Sequence, residues 1–127
     1  MIKTLLTAGS VVANTNVPLT LLVNTNSKTS LGTNAIVLNT TGLWDVKANI
    51  VFTATATGDV TARLFADGVA VSGALETTTV ATGDDYTCHI NDVVRTVPSI
   101  GGNVALTLQF DQAVTIVNGD FIVEYAR

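Results

Sequence analysis

The chain has 127 residues, enough for one domain with a sizeable core, and its 47% of hydrophobic residues stand against only 13% charged ones. The formal net charge is −4 and the six basic residues (Lys3, Lys28, Lys47, Arg63, Arg95, Arg127) are scattered, so the basic stripe of a nucleic-acid-binding protein is missing. No apolar run approaches the roughly 20 residues of a helical membrane span, and a single cysteine, Cys88, excludes an intrachain disulfide.

In chain order, residues 1–13 carry one Lys and an apolar patch broken by Gly9 and Ser10. A secretory signal needs about 7–15 continuous apolar residues, so the segment reads as a first strand over residues 2–8. Asn14-Thr15-Asn16 supplies turn chemistry before a second β-rich segment, residues 17–23. Residues 24–33 form a polar loop and are the best candidate for a mobile one. Residues 35–39 make a short strand, and Thr40-Thr41-Gly42 turns the chain into its longest pattern.

From Trp44 to Ala56 every even position is apolar: Trp44, Val46, Ala48, Ile50, Phe52, Ala54 and Ala56. The odd positions Asp45, Lys47, Asn49, Thr53 and Thr55 are polar, with Val51 the exception. Only an extended strand with one dry and one wet face has that period. Thr57-Gly58-Asp59 then turns the chain. Val60, Ala62, Leu64 and Ala66 resume the alternation with Thr61, Arg63 and Phe65 opposite. Asp67-Gly68 is a strong hairpin signal, since a type I′ turn needs positive φ at both central residues.

Residues 69–75, interrupted at Ser72-Gly73, and residues 76–81 read as two further pieces of strand, and Thr82-Gly83-Asp84-Asp85 as a turn. Tyr86, Cys88 and Ile90 alternate with Thr87, His89 and Asn91. The adjacent Val93 and Val94 then break the parity, so a bulge or kink is expected near Asn91-Asp92. Residues 98–102 are a loop. Val104, Leu106, Leu108 and Phe110 alternate cleanly, residues 114–117 are a short strand, Asn118-Gly119 is a turn, and Phe121, Val123 and Tyr125 mark the last strand. No window keeps a 3.6-residue period with capping signals. The fold class is all-β, a sandwich or barrel, in one domain over residues 1–127.

Candidate chemistry is sparse. His89 is the only histidine, and next to Cys88 on a strand it points to the opposite face, which argues against a thiol–imidazole pair. Cys88 shares parity with Tyr86 and Ile90 and reads as a small buried hydrophobe. Asp59, Asp67, Asp84 and Asp85 sit in turns whose geometry favours Asp, and their spacing matches no calcium loop. Gly101-Gly102 lacks the Lys-Ser/Thr and the helix of a phosphate loop. Trp44 shares parity with Val46 and Ile50 and belongs to the core before it belongs to a sugar platform. The apolar composition suggests that part of the surface is buried between subunits.

The run Gly42-Leu43-Trp44-Asp45-Val46, the long alternating strand, Gly58-Asp59-Val60 and Leu64-Phe65-Ala66-Asp67-Gly68-Val69 together resemble the C1q/tumour-necrosis-factor-like jelly rolls, most of all their bacterial and bacteriophage versions. The closing Asn118-Gly119-Asp120-Phe121-Ile122-Val123-Glu124-Tyr125 is similar to their last strand. The resemblance implies an antiparallel β-sandwich with jelly-roll topology, no enzyme activity, no cofactor, and assembly as a homotrimer. It further implies a structural or decoration subunit of a phage virion (head, fibre or baseplate) that contacts other virion or surface proteins, or else a bacterial-surface protein. A glycan- or receptor-binding module is the alternative. On this reading the apolar face of Phe121, Val123 and Tyr125 either packs against the second sheet or lies near a threefold axis. Val51 faces a neighbouring protomer. The loops that carry Asn26 and Lys28, and Ser99 and Ile100, are free to touch a partner.

Overall fold

The alternation that starts at Trp44 folds as a 13-residue strand, β6 (Gly42–Ala54). Its positions Trp44, Val46, Ala48, Ile50, Phe52 and Ala54 are all buried, while Ala56 lies beyond its end and is exposed. The computed structural model describes residues 1–96 and 103–126. Within them the other strands are β1 (Ile2–Leu6), β2 (Gly9–Val11), β3 (Leu19–Asn24), β4 (Thr29–Gly32), β5 (Ala35–Leu38), β7 (Gly58–Ala66), β8 (Val69–Val80), β9 (Asp85–Thr96), β10 (Val104–Phe110) and β11 (Val114–Tyr125). No helix occurs among the described residues.

The strands form two antiparallel sheets. The first runs β3-β1-β11-β6-β9, with β2 also paired to β11; the second runs β4-β5-β10-β7-β8. Several neighbours in a sheet are distant in the chain: β1 pairs with β11, and β5 with β10. The inner faces meet in one core whose largest members are Trp44, Phe52, Phe110 and Phe121. Phe52 and Phe110 come from opposite sheets, with ring centroids 5.2 Å apart. Trp44 brings a buried N–H that must be paired. Its Nε1 donates to Thr96 Oγ1 at 2.9 Å, and that hydroxyl donates on to the Thr40 carbonyl at 3.0 Å. The hairpin turn at Asp67-Gly68 has φ values of 50° and 80°, as a type I′ turn requires.

The structure departs from the sequence reading at four places. The polar stretch 24–33 contains β4, which pairs with β5 from Thr29↔Leu38 to Gly32↔Ala35. The two pieces around Ser72-Gly73 are a single strand, β8, whose register against β7 jumps from Arg63↔Leu75 to Phe65↔Ala70. The bulge expected at Asn91-Asp92 is absent: β9 pairs with β6 without a break from Gly42↔Thr96 to Thr53↔Asp85. Asp92 keeps the inward parity but is only half-buried, because β9 is an edge strand. Asn118-Gly119 is no turn: both lie inside β11, just past a register shift between Ile116 and Asn118.

At Gly119 the backbones of β11 and β6 approach so closely that a Cβ would collide with the Asn49 carbonyl oxygen and lie 3.1 Å from Ile50 Cα. Those are main-chain atoms that cannot step aside. Gly119→Ala is therefore expected to lower stability by about 1–3 kcal/mol, read as a lower urea midpoint with an unchanged slope.

Candidate functional site

On the outer face of the first sheet, cross-strand neighbours line up in rows. Because Asn49 pairs with His89 on one side and Asp120 on the other, and Asp120 with Leu5, one row crosses four strands. In it Asn49 Nδ2 donates to Asp120 Oδ1 at 2.9 Å, and Asn49 Oδ1 lies 2.7 Å from His89 Nδ1. With the Asn49 oxygen as acceptor, the network assigns the proton to His89 Nδ1. Lys3 Nζ sits 3.9 Å from Asp120 Oδ2. The His89 main-chain N–H donates to Glu76 Oε2 at 2.7 Å, which ties this edge to β8 of the second sheet. The next row, Val23, Lys3, Ile122, Lys47 and Asn91, places a half-buried Ile122 between two lysines. Val51 stands on this same face, half-buried.

Toward β3 this face turns apolar at Leu5 and Val23, 40% and 36% exposed. Leu21, paired with the inward Thr4, and Leu22, at the register shift between Lys3 and Thr4, are 44% and 54% exposed along the edge itself. Strand β3 is the edge of the sheet, and its sequence Leu-Thr-Leu-Leu-Val-Asn has no charge. The opposite edge, β9, carries Asp85, Asp92 and Arg95. Edge strands expose unpaired backbone groups and are normally protected by charge, Pro or a cover. The outward row pattern and this edge were not singled out in the sequence; the uncharged run from Leu19 to Asn24 is the signal that points to the edge.

The expected contact residues fall into three groups. Phe121 and Val123 have no exposed surface and pack in the core of the chain itself, so the placement near a protomer boundary is corrected for them: neither can touch a neighbour. Their parity on β11 points them inward with Phe52 and Ile50. Tyr125 is half-buried, edge-on to Trp44 at 4.8 Å between ring centroids. Lys28 Nζ lies 3.9 Å above its ring, a cation–π contact. Lys28 and Asn26 are thus not free loop residues. Asn26 Oδ1 accepts from the Lys28 N–H at 2.9 Å and its carbonyl from Thr29 Oγ1 at 3.0 Å, which folds the turn into β4. Ser99 and Ile100 lie outside the described residues.

Among the described residues Cys88 and His89 lie on opposite faces of β9. Cys88 is 1% exposed, and burial, with the Glu76 charge adding to it, pushes its thiol up to about 12. His89 faces the other way, on the solvent side. The aspartates expected in turns bond across to neighbouring strands: Asp59, within β7, accepts from Thr79 Oγ1, Asp67 from the Ala105 N–H of β10, and Asp85, within β9, from Thr53 Oγ1. Among the described residues no three His, Cys, Asp or Glu side chains gather as a metal ion would need. A depression of about 210 Å³ at the ends of β6 and β9 is lined by Thr41, Gly42, Leu43 and Arg95, whose guanidinium is its one ionisable group among the described residues.

No family model matches the chain, and no curated protein matches it in sequence. Among solved structures, the globular domain of zebrafish complement 1qA is similar over 99% of this chain and 96% of its own, with a TM-score of 0.72 and 9% identity. Murine APRIL at pH 8.5 is similar over 97% and 98%, with a TM-score of 0.70 and 10% identity. A second structure of murine APRIL, at pH 5.0, gives a TM-score of 0.66 with 10% identity, over 94% and 98%. At such identities the likeness establishes the fold: an antiparallel sandwich of the C1q/TNF-like jelly-roll type.

The thiol gives a pH test. Cys88 stays protonated in the folded chain until about pH 12, against an ordinary value of 9.0. Its stabilising share is whole below pH 9.0 and is lost as pH rises toward 12, because the unfolded chain ionises first. Between about pH 8 and about pH 11, the wild type should lose more stability than Cys88→Ala. Iodoacetamide should label the native thiol only at the rate of unfolding.

Proposed function

We propose that the chain is a non-enzymatic structural subunit that acts by joining two further copies of itself into a homotrimer, as a decoration protein of a phage virion on its head, fibre or baseplate. The observation that carries the assembly part is the exposed apolar edge at β3, where Leu21 and Leu22 lie beside Leu5 and Val23, the last two on the outer face that also holds Val51 and Ile122. An edge of this kind is a liability on a free protomer and an asset in an interface. The jelly-roll fold supports the trimer through the resemblance stated above, and the motif from Gly42 to Val69 supports the phage setting, with a bacterial surface as the alternative. A second reading, a glycan- or receptor-binding module, is favoured by a groove on the outer face of the second sheet.

Sedimentation or native mass spectrometry at micromolar concentration is expected to give three times the chain mass of 13.2 kDa. Leu22→Glu, which charges the edge without touching the core, should weaken assembly at least about tenfold. A wild-type monomer at that concentration overturns the trimer. Mass spectrometry of purified particles tests the virion setting: the chain should be recovered at a fixed ratio to the major structural protein.

A further inference from the structure

The outer face of the second sheet carries a groove of about 260 Å³ that trimer assembly does not use. Its floor comes from β7, where Thr61, Arg63 and Phe65 point away from the buried Ala62 and Leu64. One wall exists because β8 leaves the sheet: the single residue Leu64 faces four residues of β8, with Gly73 at φ 79° letting the chain bend. The residue opposite Phe65 is Ala70, too small to cover an aromatic ring, so Phe65 stays half-exposed on a sheet face. The other wall is the turn before β3. Asn14 adopts φ 59° and its N–H donates to the Phe110 carbonyl at 2.8 Å, which docks the turn over the end of β10.

Two polar groups in this groove, Asp111 and Gln109, are held in place. The Thr61 N–H donates to Asp111 Oδ1 at 2.8 Å and the Asp111 N–H donates back to the Thr61 carbonyl at 3.0 Å. That double link fixes the carboxylate and leaves Oδ2 outside it. Gln109 Nε2 donates to Asn16 Oδ1 at 2.9 Å, which orients its amide, and Gln109 is the cross-strand neighbour of Arg63. Arg63 is exposed, with no carboxylate within ion-pair distance among the described residues. A ring with an open face, a planar donor, an amide and an anchored acceptor therefore converge from β7, β10 and the Asp111 corner.

We propose that this groove binds one neutral sugar ring of a glycan, stacked on Phe65 and hydrogen-bonded by Arg63, Gln109 and Asp111. This rests on the binding-module reading and is independent of trimer assembly. A pyranose has an apolar C–H face and a rim of hydroxyls that each donate and accept. An aromatic ring with its negative face complements the first, and planar side chains with fixed direction complement the second. Preorganised groups give such a small ligand its orientation. Arg63 and Asp111 balance each other in charge, so a neutral ring, whose hydroxyls pair with both a donor and an acceptor, fits the groove without net charge of its own. The volume falls just below the usual range of small-molecule pockets and suits a single ring better than a peptide with successive side chains.

The test is an amide chemical-shift titration of the labelled full chain with glucose, galactose, N-acetylglucosamine and, separately, glucuronic acid. At least one neutral sugar is expected to give saturable shifts at Phe65, Gln109 and Asp111, with a dissociation constant in the millimolar range. Phe65→Leu, which keeps apolar bulk without a ring, and Arg63→Gln should each weaken that binding at least about tenfold while the rest of the spectrum stays in place. Binding of glucuronic acid alone, shifts confined to Asn26 and Lys28, or no saturable shift at the groove overturns the proposal. The oligomer mass, measured on the same samples, reports separately on assembly.

Discussion

The structure depends on the register of β6 between β11 and β9. Side chains alternate along a strand, so a slip by one residue would move Trp44, Val46, Ala48, Ile50 and Phe52 to solvent and bring Asp45, Lys47 and Asn49 into the core. Both partners hold the register along nearly the whole of β6, and the indole of Trp44 adds a directional constraint. Its N–H finds Thr96 Oγ1 only when β9 is in this alignment, and that hydroxyl must in turn reach Thr40. A polar group with no route to water makes every other alignment costly.

The two outer faces follow from the same register and differ in character. On the first sheet, the polar row of Asp120, Asn49 and His89 gives way to the apolar edge around β3, a surface suited to another protein surface. On the second sheet, the departure of β8 opens a small concavity over Phe65. The two features lie on opposite sides of the sandwich, so a subunit that uses one face for assembly keeps the other available.

Legibility in the sequence followed the distance over which each element is determined. The strand from Gly42, the Asp67-Gly68 hairpin and the alternation of β10 were plain, because period and turn chemistry are local. Strand β4 was read as loop because Thr29 and Ser30 are polar; its order comes from pairing with β5 and from the Asn24 and Asn26 side chains that fold the preceding turn. Asn118-Gly119 looked like a turn but lies in a continuous strand, where the glycine is required by the close approach of β6 and not by a reversal. The last-strand aromatics shared a parity but split in role: Phe121 sits in the middle of the core, while Tyr125 reaches the end of the sandwich and meets Lys28. The groove left no local trace, since Asn14, Phe65 and Asp111 are brought together only by topology.

The position of β11 between β1 and β6 has a kinetic consequence. It is the most C-terminal of the described strands, yet it occupies the interior of the first sheet. Until it is in place, the β1–β3 pair and the β6–β9 pair have no neighbour in common and cannot join. The second sheet, by contrast, is joined when β10 links β5 to β7. The first sheet closes only through a pairing of β11 with β1 that spans nearly the whole sequence, a contact of high order that slows folding.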